Sequence, residues 1–133
     1  MFEVIKLNAK QAITDINSIV DRFLHAHNDI SDELDKQVII ALIFGAMNRY
    51  AQTKDDIEPS DLQALLIYVL IQRFAYNEES AGRYSAYLVQ CTDKSFHPVI
   101  YNLIINGMSL YDIMETPALL TEQIEKTLSA VKN

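Results

Sequence analysis

VIIALIFGAM, residues 38–47, and LLIYVLI, residues 65–71, are the longest apolar runs in the chain. Each must leave water, either in a lipid bilayer or in a protein core. A membrane span needs roughly 18 to 20 consecutive apolar residues, and both runs fall short. No run in the sequence alternates polar and apolar residues cleanly, so a strand reading is excluded and the periodicity is helical throughout. Helices that are apolar nearly all round belong in the centre of a bundle. The two runs therefore predict central helices of an all-α protein.

Working outward, Asn8 with Gln11 three residues on predicts a capped first helix over about 9–27. Its apolar stripe is Ala12, Ile13, Ile16, Ile19, Val20, Phe23 and Leu24. Ser31 is placed to cap the second helix, over 32–52, with Asp32, Glu33 and Asp35 in the first turn, where the helix dipole favours acid. TKDDIE (53–58) breaks the pattern, and Pro59 sits at the first position of a third helix running to about Ala75. Asn77 is the expected cap of a fourth helix that ends near Cys91. The join between helices three and four is short enough for a tight αα-hairpin or corner. A fifth helix is expected over 96–115 and a sixth from Thr116-Pro117 to about Val131. Gly107 costs about 1 kcal/mol inside a helix relative to alanine, so it marks either a kink or a close approach by another helix. The expected architecture is a single-domain irregular bundle of about six helices, packed around helices two, three and five.

The chain has 133 residues, half of them hydrophobic, enough for one core without a covalent staple. A lone cysteine, Cys91, cannot form an internal disulfide and fits a reducing compartment. The stretch MFEVIKLNAK lacks the apolar region of a signal peptide. Net charge is −7, which argues against nucleic acid as a partner, because phosphate binding needs clustered Lys and Arg. The acid is uneven. Residues 29–61 hold Asp29, Asp32, Glu33, Asp35, Asp55, Asp56, Glu58 and Asp61 against Lys36, Arg49 and Lys54. A field of that sign attracts a basic partner. The two acid groups flank helix two and so lie about 30 Å apart. Tyr50, beside the second group, is a candidate aromatic anchor.

Chemistry-bearing patterns are few. CTDKSFHP (91–98) brings Cys91 near His97, the pairing a thiol nucleophile needs. No glycine-rich nucleophile turn surrounds the cysteine, and it ends an apolar helical stripe, where cysteine is a small hydrophobe. The segment reads instead as a structural turn made by Cys91, Asp93, Phe96, His97 and Pro98. Asp93 or Ser95 would cap helix five, and His97 would hydrogen-bond across the turn. Asp21, His25 and Asp29 share a face of helix one, with His27 pointing elsewhere. They span about 12 Å, too far for all three to bind one ion, and no zinc or calcium motif occurs. There is no phosphate loop, and Asp55-Asp56 and Glu78-Glu79 read as charges at helix entrances. No cofactor or metal is expected. Asn102 and Asn106, polar amid Ile and Leu, face either the core or a partner.

FGAMNRYA (44–51), IQRFAYNEESAGRYSAYL (71–88) and CTDKSFHPVIYNLIINGMSLY (91–111) together resemble the all-helical immunity proteins of bacterial polymorphic toxin systems, and within them the immunity protein 48 family. The resemblance spans about 38–111 and is most distinctive from Cys91 to Pro98, with Gly107 and Tyr111 downstream. It implies a cytoplasmic antidote that binds a toxin and blocks it, and it assigns no contact residues. An acidic helical protein without a catalytic set suits that role. The expected contacts are Asp32, Glu33, Asp55, Asp56, Glu58 and Asp61, with Tyr50 as anchor. The alternative is a small helical adaptor or homo-oligomeric assembly protein.

Overall fold

The computed structural model describes residues 8–132, with side chains from Lys10 onward. Among them are six helices and no strand: α1 (Asn8–Ala26), α2 (Glu33–Gln52), α3 (Pro59–Phe74), α4 (Glu78–Gln90), α5 (Pro98–Tyr111) and α6 (Pro117–Lys132). One buried apolar cluster draws on all six. Every residue from Val38 to Met47 in α2 is buried, so the first apolar run is wrapped on all sides. The run in α3 is not. Leu62, Leu65, Leu66, Val69, Leu70 and Phe74 are buried, while Ile67, Tyr68 and Ile71 are only partly covered.

The expected centre of helices two, three and five therefore narrows to a pair. α2 and α5 form the most intimate contact in the molecule, and α3 packs principally on α4. Glycine is the reason. A methyl group built on Gly45 would collide with the Ile104 carbonyl and lie 2.9 Å from the Gly107 Cα. One built on Gly107 would collide with the Leu42 carbonyl and lie 2.9 Å from the Leu42 Cα. The two helices thus cross backbone to backbone, each supplying the glycine that the other requires. Gly107 marks a close approach.

The helix ends correct several expectations. Asp32, not Ser31, caps α2: its backbone is extended, and its Oδ1 accepts the N–H groups of Leu34 at 2.8 Å and Asp35 at 3.1 Å. Ser31 turns back to Asp29, donating its hydroxyl to Oδ1 at 2.7 Å. At α5 the cap is His97, whose Nδ1 accepts the Ile100 N–H at 3.2 Å. Pro98 at the first helical position leaves residue 97 as the capping position. Asp93 caps nothing in α5; it closes its own turn with the Ser95 N–H at 2.9 Å and hydroxyl at 2.8 Å. α5 also ends earlier than expected, at Tyr111, with a turn before Pro117. The expected Asn8 cap concerns a side chain outside the described residues, and Gln11 donates to Asp15 at 2.8 Å. α4 is capped by Asn77, which accepts the Ser80 N–H at 2.8 Å. Between α3 and α4 the chain reverses at Ala75, which has a left-handed φ of 61°. The Tyr76 N–H then reaches back to the Leu70 carbonyl at 3.1 Å, a helix-ending bond usually associated with glycine.

Candidate partner interface

The second acid group lies on the exposed segment joining α2 to α3. Asp55, Asp56, Glu58 and Asp61 are all exposed. Asp61 accepts the Glu58 N–H at 3.0 Å, which ties the start of α3. Lys54 lies 5.6 Å from the Tyr50 ring centre, and Arg49 pairs with Asp112 at 3.4 Å. Tyr50 itself is 4 % exposed. Its hydroxyl donates to Asp15 at 2.6 Å, and burial, then the Asp15 carboxylate, push its pKa up. The expectation of Tyr50 as an anchoring ring for a partner is corrected: the ring is buried, its hydroxyl held by Asp15 of α1 and its centre 6.4 Å from that of Tyr111 in α5.

The first acid group divides. Asp32 and Glu33 are exposed, the first as a cap and the second paired with Lys36 at 3.1 Å. Asp35 is buried. Its Oδ1 lies 2.6 Å from the Lys132 ammonium and its Oδ2 3.2 Å from His27 Nε2, while His27 Nδ1 faces Glu125 at 3.4 Å. The Lys132 contact outweighs burial and holds the Asp35 carboxyl below its ordinary range. This cluster ties α6 to the join of α1 and α2, and it takes Asp35 out of the surface charge. Sequence reasoning missed it, because the partners lie 8 and 97 residues away.

Cys91 is fully buried, and burial raises its thiol pKa, the opposite of what a nucleophile needs. His97 caps α5 and sets its ring edge against Tyr87, 6.3 Å between centres. Asp21 pairs with Arg73 at 2.5 Å. His25 is exposed beside a cleft of about 510 Å³ between α1 and the start of α6, where Arg22 pairs with Glu115. Among the described residues no group of three His, Cys, Asp or Glu side chains is arranged to hold a metal ion. Asn106 donates to the Thr127 hydroxyl at 2.7 Å and so faces α6, whereas Asn102 is exposed.

A row of rings went unnoticed in the sequence. Tyr76 stacks on Tyr84 (centres 5.7 Å apart), Tyr84 on Tyr87 (6.0 Å), and Phe96 meets Tyr87 edge-on (5.9 Å). The signal available was the i, i+3 spacing of Tyr84 and Tyr87. The outer two rings come from the turns on either side of α4.

Compared with known proteins, residues 7–130 match the family model described as immunity protein 48. No curated protein and no solved structure matches. No described helix is long and apolar enough to cross a membrane.

Proposed function

The chain belongs to the immunity protein 48 family, and from that premise we propose that it neutralises a cognate bacterial toxin in the cytoplasm by binding it and occluding its working surface. The family match over nearly the whole chain carries the proposal. The charge supports it. A net −7, concentrated around the two ends of α2, favours a basic partner and speeds its arrival. Asp32, Glu33, Asp55, Asp56, Glu58 and Asp61 are the proposed attracting charges. The whole chain acts as one helical binding unit, and its work is binding rather than catalysis.

The test is a tagged pull-down from the producing bacterium, followed by mass spectrometry and growth measurements. The expected result is one stoichiometric partner, a fragment of a larger secreted protein, whose expression stops growth unless this chain is co-expressed. Recovery of the chain alone, as a self-associated species, overturns the proposal in favour of a homo-oligomeric assembly protein.

A further inference from the structure

α6 packs principally on α1, and its grip weakens toward the C-terminus. Leu120, Ile124 and Leu128 are buried. Past Leu128 only Val131 is partly covered, while residues 129, 130 and 132 are exposed. What fastens this end is ionic. Glu125 reaches His27 in the join of α1 and α2, and Lys132 reaches Asp35 in α2, which His27 also touches. Segments with few buried apolar contacts open locally at low cost. The charge state of these groups therefore decides how firmly the end of α6 is held.

The neighbours of His27 require a charged ring. Its Nε2 lies 3.2 Å from an Asp35 oxygen and its Nδ1 3.4 Å from a Glu125 oxygen. Ionised carboxylates only accept hydrogen bonds, and a neutral imidazole has one donor nitrogen and one acceptor. A neutral ring would set its lone pair against one of the two carboxylates. The imidazolium, with two donors, satisfies both. Asp35 is ionised here, since Lys132 holds its carboxyl below the ordinary range. The charged groups around the ring are Asp29 in the same join, Asp35 from α2, and Glu125 and Lys132 from α6. Three carboxylates facing one ammonium accommodate a second positive charge. His97 has the opposite requirement: its Nδ1 accepts the Ile100 N–H at 3.2 Å, which only the neutral ring can do.

We propose that His27 is a proton-operated clasp: as the imidazolium it bridges Asp35 and Glu125 and straps the C-terminal end of α6 to the α1–α2 join, and on losing its proton it lets that end open. Histidine exchanges its proton between about pH 5 and 8. The clasp is closed at the lower end of that range and loosens as the pH rises. Lys132, kept charged by Asp35, retains its own hold throughout, so the end of α6 opens more often without detaching. Opening uncovers Leu128 and Val131. The device is a property of this fold and is independent of the toxin reading.

The experiment is NMR of the nitrogen-15-labelled full chain between about pH 6 and about pH 8.5. It reads the histidine ring nitrogens together with amide hydrogen exchange at residues 129–132, and the buried Ile43 of α2 gauges global opening. At about pH 7 both ring nitrogens of His27 should give the signal of a protonated nitrogen, with His97 in the same spectrum giving one protonated and one bare. As the pH rises, the His27 ring should turn neutral. Opening at residues 129–132 should then increase roughly fivefold beyond the chemical effect of base, with Ile43 unmoved. His27→Gln should show the increased opening at every pH. Glu125→Gln puts a donor opposite Nδ1, so a neutral ring satisfies both neighbours and the pH dependence should flatten. A His27 ring with one bare nitrogen at about pH 7 overturns the inference. So does the parent's pH profile of opening if it persists in either variant.

Discussion

Replacing Gly107 with alanine separates two effects that usually travel together. In an ordinary helix interior the change stabilises by about 1 kcal/mol, through helix propensity and a less flexible unfolded chain. At Gly107 the new methyl would lie 2.9 Å from the Leu42 Cα and deeper still into the Leu42 carbonyl. Carbon atoms rest at about 3.5 Å or more, so α2 and α5 must part by at least about 0.6 Å, and by more at the carbonyl. Both atoms are backbone, so no side chain can swing aside. Overpacking of this kind costs about 1 to 3 kcal/mol, and a rigid seam belongs at the upper end. Subtracting the propensity gain leaves a net loss of about 2 kcal/mol. For a chain of this size that lowers the thermal midpoint by roughly 8 °C. Gly45→Ala should behave alike. The double variant should cost less than the sum, because the first separation makes room for the second methyl. Gly82→Ala is the internal control. Nothing lies within 4 Å of a methyl there, so it should raise the midpoint by roughly 2 to 4 °C. Calorimetric melts of the parent and the four variants decide the matter. A Gly107→Ala protein as stable as Gly82→Ala would refute the backbone-to-backbone crossing.

Ala75 holds a left-handed backbone that costs a non-glycine residue about 1 to 2 kcal/mol, so Ala75→Gly should raise the urea midpoint despite the greater flexibility of glycine in the unfolded chain. No gain would mean that the turn is not strained. The Asp35 carboxyl is held below its ordinary range by Lys132 and His27, so its contribution is present above about pH 4 and is lost as pH falls through the lowered value. Urea midpoints from pH 7 to pH 2 should therefore show Asp35→Asn less stable at neutral pH and converging on the parent in acid; a gap that stays constant with pH would contradict the ion cluster. The Cys91 thiol is fully buried with its pKa raised, so it should react with a disulfide reagent only at the rate of unfolding, and fast labelling under native conditions would count against that burial.

The fold was legible because its signals are local. An apolar run too short for a bilayer and too continuous for a surface helix has one sensible place, and residues 38–47 occupy it. Asn77 and Pro59 likewise mark helix starts through chemistry confined to one turn of chain. The misassigned caps failed by one or a few residues for the same local reason. Several polar residues stood near each start, and only the backbone conformation at Asp32 and His97 selects between them.

What the sequence could not contain is which distant residues meet. Tyr50 reads as an exposed anchor until α1 brings Asp15 to its hydroxyl. Asp35 reads as one more surface acid until the last turn of α6 brings Lys132 to it. Gly107 reads in the sequence as either a kink or a close approach and Gly45 carries no signal at all, and only the crossing of α2 and α5 makes each the reason for the other. The aromatic row joins rings from two turns and a helix. By itself the sequence determined the all-helical architecture and the acidic field, because periodicity and charge are properties of residue order. The tertiary structure alone decided which acids remain at the surface and which rings line up, because burial and contact belong to pairs of residues far apart in the chain.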